Sequence, residues 1–297
     1  MDIRIKSNMF SKLSRKVKLY FYFTKPGISR AQILTVSIGY FLAKQSISFE
    51  NPYIFLVLGT YLFSASACSL NNIIELEHDS KMNRTKNREL PQKLISLKEA
   101  WTIVFVCFSI AVYCVQKINL ETLIVAVLTV VTYCYIYTPL KRLSWMNTLV
   151  GAVPGALPIL GGWLATGTSL HISAFSLFFT LFSWQIPHFY ALSIMHLEDY
   201  KVAGFKMLPI DDPNYRSTKR QILIFTILMI VSSIGPFLFG FLSEFYFFGV
   251  LVISCMFTIL TIRFLNNFTK KNAKKLFILS IIYLPLWLLL VLVDILI

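Results

Sequence analysis

Apolar residues in this chain fall into nine long runs separated by short polar seams, at roughly 28–46, 53–74, 99–117, 120–138, 146–165, 171–192, 221–241, 245–265 and 276–296. A helix needs about 20 predominantly apolar residues to cross a bilayer. The seams carry turn chemistry at Asn51-Pro52, Pro139, Gly167 and Asp211-Asp212-Pro213-Asn214. This pattern predicts an all-α polytopic membrane protein with nine transmembrane helices around a central cavity. Ahead of the first run, Phe10, Leu13, Val17 and Phe21 recur at spacings of three and four, with lysines and arginines opposite. That predicts an interfacial amphipathic arm over 1–27, followed by a nine-helix domain over 28–297.

Composition removes the soluble alternative. The chain is 56% hydrophobic and 14% charged, against about 25% charged in an ordinary soluble domain. Its net charge is +14, but the basic residues sit in short seams between apolar runs, which argues for anionic headgroups and excludes nucleic acid as the partner. Every second seam is basic. The arm through Arg30 and the seams 75–98, 139–145, 193–220 and 263–275 together hold 26 of the 28 lysines and arginines. This asymmetry predicts a cytoplasmic N-terminus and an external C-terminus. No apolar stretch of signal-peptide type precedes the basic arm. The first span follows too closely for a mitochondrial presequence, so a bacterial inner membrane is expected. All five cysteines lie in apolar runs without a CxxC pair, and are read as packing residues.

Two of the basic seams open with titratable groups. The first runs from Asn71 to Arg88. Asn72, Glu75 and Asp79 fall on one face of a helix, and Asn71 borders it. Such a cluster at the end of an apolar segment is costly unless a cation satisfies it. Oxygen donors of this kind suit Mg²⁺, which binds through one or two carboxylates together with substrate phosphates. Arg84, Lys86 and Arg88 follow at once, as phosphate partners. Tyr137 and Lys141 lie four apart near the end of the fourth run, with Arg142 beside them, and Lys141 is placed to reach a diphosphate oxygen. The second seam follows the sixth run, from Trp184 through His188, His196 and Asp199 to Gly204. Both seams follow an even-numbered run, four runs apart, so they are expected to face each other across the cavity. Gly151, Pro154, Gly155, Pro158, Gly161 and Gly162 crowd the fifth run, as close helix packing or as a groove. Zinc spacing, a P-loop, a Rossmann fingerprint and a serine elbow are all absent from the sequence.

These tracts carry a resemblance. Thr24-Lys25-Pro26-Gly27, Asn71 to Arg88, Tyr137 to Arg142, the Gly/Pro-rich fifth run, and Trp184 to Gly204 with Met207-Leu208-Pro209 resemble the UbiA superfamily of intramembrane prenyltransferases over nearly the whole chain. Lys81 to Arg88 and Pro187 to Tyr200 resemble its haem branch. The family's NDxxDxxxD motif falls on Asn71, Asn72, Glu75 and Asp79, with Glu75 and Glu77 where aspartates are usual. Its YxxxK motif falls on Tyr137 and Lys141. The second DxxxD motif is degraded, with His196 and Tyr200 at its ends and Glu198 and Asp199 as remaining carboxylates.

The resemblance implies farnesyl transfer from farnesyl diphosphate to a vinyl group of protohaem (haem B), giving haem O with Mg²⁺ assistance. It implies catalytic roles for Asn72, Glu75, Asp79, Lys141 and Asp199, with Asn71, Asn72, Glu75, Asp79 and Asp199 as metal ligands. Arg84, Lys86, Arg88, Tyr137, Arg142, His188 and His196 then contact the substrates. A haem A-making enzyme or a terminal oxidase assembly is a candidate protein partner. The alternatives are a prenyltransferase for a quinone precursor, and a transporter or assembly factor that performs no chemistry.

Overall fold

The structure is a computed structural model that describes residues 14–297. Phe10 and Leu13 of the amphipathic arm lie outside the described residues. Helix α1 is described over residues 14–23. Its Leu19, Tyr20 and Phe23 pack against Ile73, Leu76, Leu90, Ile95 and Ala100, while Val17 and Phe21 stay exposed. Glu99 accepts hydrogen bonds from Tyr20 and Lys16, tying the arm to the fifth helix.

The long helices follow as α2 (Pro26–Lys44), α3 (Asn51–Ile74), α5 (Leu97–Gln116), α6 (Leu120–Val131), α8 (Asn147–Leu164), α9 (Ile172–Met195), α12 (Arg216–Ser233), α14 (Glu244–Asn266) and α15 (Lys270–Leu296). Short helices punctuate them: α4 (Leu76–Asp79), α7 (Thr138–Leu143), α10 (Leu197–Val202), α11 (Leu208–Asp211) and α13 (Gly235–Leu238). Seven helical segments among the described residues are long and apolar enough to cross a bilayer: all the long ones except α2 and α9, with α6 running on through α7 and α12 through α13. Their exposed faces carry rows of Ile, Leu, Val and Phe, as a lipid environment requires. This is an integral membrane protein.

Each long helix packs on its sequence neighbour, and α15 returns to α2 and α9, closing a ring. One core joins α2, α8, α9, α12, α14 and α15. A second joins α3, α5 and α6. The cavity lies between them. Beside it α2 crosses α8 at close range. A Cβ on Gly39 would strike the Ile159 carbonyl, and one on Gly162 would strike the Val36 carbonyl, so only glycine permits this crossing. The crowded fifth run is therefore both a packing device and a cavity wall.

Between α6 and α7 the backbone widens into a π-helical turn, Thr132–Tyr137. Pro139 follows; a proline within a helix lacks an N–H and its ring crowds the carbonyl four residues earlier, which the wider turn relieves. The widening brings Tyr133, Tyr137 and Lys141 onto the cavity wall. The five cysteines are free, and Cys68, Cys114 and Cys134 are buried.

Candidate functional site

Helix α3 ends at Ile74. Glu75 takes a non-helical turn (φ −95°, ψ 8°) and α4 resumes the spiral, with the Asp79 amide donating to the Glu75 carbonyl at 2.8 Å. The continuous helical face expected from the sequence is thus broken at the glutamate. Asn71, Glu75 and Asp79 still line one side of the cavity mouth. Asn72 does not: its side-chain amide turns away and donates to the Phe23 carbonyl at 2.9 Å, anchoring the arm.

Each of the three oxygen donors is held by a cation. Glu75 Oε1 accepts from Lys141 Nζ at 2.8 Å, with side chains only 6% and 14% exposed. Asp79 Oδ2 accepts from Arg88 at 2.9 Å. Asn71 Oδ1 accepts from Lys25 Nζ at 3.0 Å, and its amide donates to Thr138 Oγ1 at 3.1 Å. Burial alone would raise the Glu75 carboxyl, but the Lys141 charge and hydrogen bond outweigh it and hold the group below its usual range. Burial, followed by the charge of Arg88, pushes Lys25 down to about 8.

Lys25 was not expected as a site residue, because a lysine ahead of a first span reads as a topology signal. The structure gives it a left-handed backbone (φ 53°) immediately before Pro26, a conformation that costs a non-glycine residue roughly 1 kcal/mol. The Lys-Pro pair at the head of the span was the available signal.

The two titratable seams do meet. Both carboxylate oxygens of Asp199 accept from the backbone of the first seam, from Asn83 N and Arg84 N, each at 3.2 Å. His78 Nδ1 lies 2.8 Å from the Ala203 carbonyl, and the Arg84 guanidinium lies 5.8 Å from the centre of the Tyr200 ring. Asp199 therefore holds a loop and does not line the cavity. His196 caps the end of α9 and shares a small surface hollow with Glu198, Asp199 and Lys270. Lys86 bonds Asn83 Oδ1, and Arg142 bonds the Ile74 carbonyl; neither lines the cavity. Arg84, Arg88, Tyr137, Lys141 and His188 do.

The cavity encloses about 940 Å³. Its mouth carries Lys25, Arg88 and Lys141 against the carboxylates of Glu75 and Asp79, a surplus of positive charge even before Arg84 is added. Its depth is lined by Val36, Leu56, Phe63, Val115, Val130 and Leu284. An ionised carboxylate, an amide oxygen and surplus ammonium and guanidinium groups suit a polyanion with a hard cation. The apolar depth suits a hydrocarbon tail. Among the described residues no group of three or more His, Cys, Asp and Glu has metal-binding geometry.

Fold and site together define a helical membrane protein built to hold an amphiphile, with an anionic head at the mouth and an apolar body within. The sequence profile of the UbiA prenyltransferase family matches residues 33–289. The chain belongs to that family. It is 36% identical to a protoheme IX farnesyltransferase of Solibacter usitatus, over 90% of this chain and 95% of that one. It is 33% identical to a protoheme IX farnesyltransferase of Flavobacterium psychrophilum, over 89% of each chain. Among solved structures it resembles a digeranylgeranylglyceryl phosphate synthase (TM-score 0.77, 19% identity, covering 95% of this chain and 99% of that one). It also resembles a UbiA homologue of Archaeoglobus fulgidus bound to GPP and Mg²⁺ (TM-score 0.68, 16% identity, covering 92% and 99%).

Proposed function

We propose that this chain transfers a farnesyl group from farnesyl diphosphate to a vinyl group of haem B, giving haem O and diphosphate. The observation that carries the reading is the cavity mouth, where three cations are paired with Asn71, Glu75 and Asp79 above an apolar chamber. The relatives named protoheme IX farnesyltransferase, matched over nine-tenths of the chain, support the choice of acceptor.

The donor set of Asn71, Glu75 and Asp79 is all oxygen, which fits Mg²⁺. Bound there, Mg²⁺ would neutralise the charge that develops on the leaving diphosphate. Lys25, Arg88 and Lys141 would turn to the diphosphate oxygens, leaving Asn71, Glu75 and Asp79 as the oxygen donors that would hold the metal. Tyr137, whose ring centre lies 4.6 Å from Lys141 Nζ, keeps that ammonium at the cavity wall. Carbon–oxygen cleavage leaves an allylic cation at C1 of the farnesyl group. The terminal vinyl carbon attacks it, forming the new carbon–carbon bond. Water then adds to the cation beside the porphyrin and loses a proton, which gives the hydroxyethyl group. The apolar walls keep water from the first cation until the vinyl group has reacted.

The same reading gives the chain nine spans, with α2 and α9 as the two beyond the seven. It puts the N-terminus and the site on the cytoplasmic side of a bacterial inner membrane, because the basic seams gather at that end. The residues of 14–23 form an arm lying along this face. The test supplies membranes containing the protein with farnesyl diphosphate and Mg²⁺, and either haem B or an aromatic-acid quinone precursor. Prenylation of haem alone is expected. Prenylation of the aromatic acid alone overturns the assignment.

A further inference from the structure

His188 stands on α9 directly after Pro187 and lines the cavity. Its ring is clamped. The Trp184 ring stacks on it at 5.1 Å and the Phe277 ring at 4.8 Å, with interplanar angles of 21° and 27°. Nδ1 lies 2.6 Å from Ser280 Oγ, and Ser280 is fully buried on α15. That hydroxyl also lies 2.6 Å from the Phe277 carbonyl oxygen. When the single serine proton goes to the Phe277 carbonyl, which only accepts, Ser280 Oγ accepts from His188 Nδ1. In that arrangement the imidazole carries its proton on Nδ1 and its lone pair on Nε2. Nε2 has no hydrogen-bond partner among the described residues.

A histidine that served packing alone would not need its ring held at Nδ1 from a second helix, nor a second ring nitrogen without a partner beside an apolar chamber. An orienting partner on one ring nitrogen, with the other nitrogen free, is the arrangement of a metal-ligating imidazole. Neutral imidazole suits iron. We infer that His188 Nε2 is an axial ligand to the iron of the haem acceptor, with Trp184, Phe277 and Ser280 holding the imidazole in place. This rests on haem being the acceptor. It gives His188 a positioning role, fixing the porphyrin so that a vinyl group faces the mouth where Lys141 and Glu75 meet.

The test is spectroscopic and uses the full-length protein in detergent or nanodiscs, without farnesyl diphosphate. Wild-type protein loaded with haem B and reduced is expected to show an iron–imidazole stretch by resonance Raman. Its absence from the wild type overturns the inference, whatever any variant does. In His188→Ala the band is expected to disappear, and haem B to bind more weakly by at least about tenfold, while metal-free protoporphyrin IX binds as in the wild type. Retained porphyrin binding shows that the variant is folded. Should the alanine variant fold poorly, His188→Met is expected to replace the imidazole band with a thioether-type spectrum. An iron–imidazole band that survives in either folded variant overturns the assignment to His188. Ser280→Ala is expected to weaken haem B binding on the order of tenfold without removing the band. Haem O formation by the wild type is measured in parallel. Product without the band sinks this inference and leaves the proposed reaction standing; the band without product does the reverse.

Discussion

At the scale of single residues, the site is a set of ion pairs waiting to be exchanged. Glu75 is buried, Lys141 is nearly so, and each neutralises the other, so neither charge is stranded. Removing one partner of such a pair leaves an uncompensated buried charge, whereas loading exchanges one counter-ion for another. Glu75→Gln and Asp79→Asn are expected to lower haem O formation by at least about 10²-fold, the usual cost of losing one charge-stabilising group, with membrane insertion unchanged by protease mapping. Full activity in both would remove the metal-binding assignment. Lys141→Ala and Lys25→Gln are each expected to weaken farnesyl diphosphate roughly tenfold to hundredfold, the worth of one charge-assisted hydrogen bond, and to leave haem B affinity alone. Competition binding with each substrate separates the two effects.

Asn71, Glu75 and Asp79 were legible in the sequence because carboxylates and amides at helical spacing beside an apolar run have few bland explanations. Asn72 and Asp199 share that chemistry, but neither lines the cavity. Pattern does not say which way an amide points, and Asn72 points at the Phe23 carbonyl. Lys25 was missed for the opposite reason, since its sequence context fits a topology signal equally well.

At the scale of elements, the decisive features are a helix crossing and a loop clasp. The α2–α8 crossing brings two backbones into contact at Gly39 and Gly162. Gly162→Val drives a side chain into the Val36 backbone, and an overpacked interface of this kind costs about 1–3 kcal/mol. A lower thermal midpoint in detergent is expected, and an unchanged one would contradict the crossing. The clasp is Asp199 holding the Asn83 and Arg84 amides. Asp199→Ala is expected to raise KM for farnesyl diphosphate by loosening the loop that carries Arg84 and Arg88, without changing the Mg²⁺ concentration needed for half-maximal rate. A shifted Mg²⁺ requirement would return Asp199 to the metal site. Sequence placement of the two seams anticipated that they meet. It did not anticipate the π-helical turn, because the strain that Pro139 imposes is relieved by backbone geometry, which leaves no trace in hydropathy.

At the scale of the whole molecule, hydropathy makes the membrane class legible, and charge asymmetry carries the proposed orientation. They reflect the two energies that a bilayer imposes uniformly, apolar burial and the cost of moving lysine and arginine across it. The helices α2 and α9 are outside the seven, and both put polar groups on the cavity wall, Gln32 on one and Gln185 and His188 on the other. With nine spans, reporter fusions in the 80–95 seam and at the C-terminus are expected to report opposite sides of the membrane. Agreement between the two would remove one span or add one.

The cation-lined mouth and the apolar chamber act together in the proposed farnesylation of haem. Purified protein in nanodiscs, given haem B, farnesyl diphosphate and Mg²⁺, tests it by mass spectrometry of the extracted haem. Wild-type protein is expected to yield haem O, and the product to be lost on chelating Mg²⁺ or in Asp79→Asn. Haem B recovered unchanged from the folded wild-type protein, or haem O formed equally well by Asp79→Asn, would contradict it.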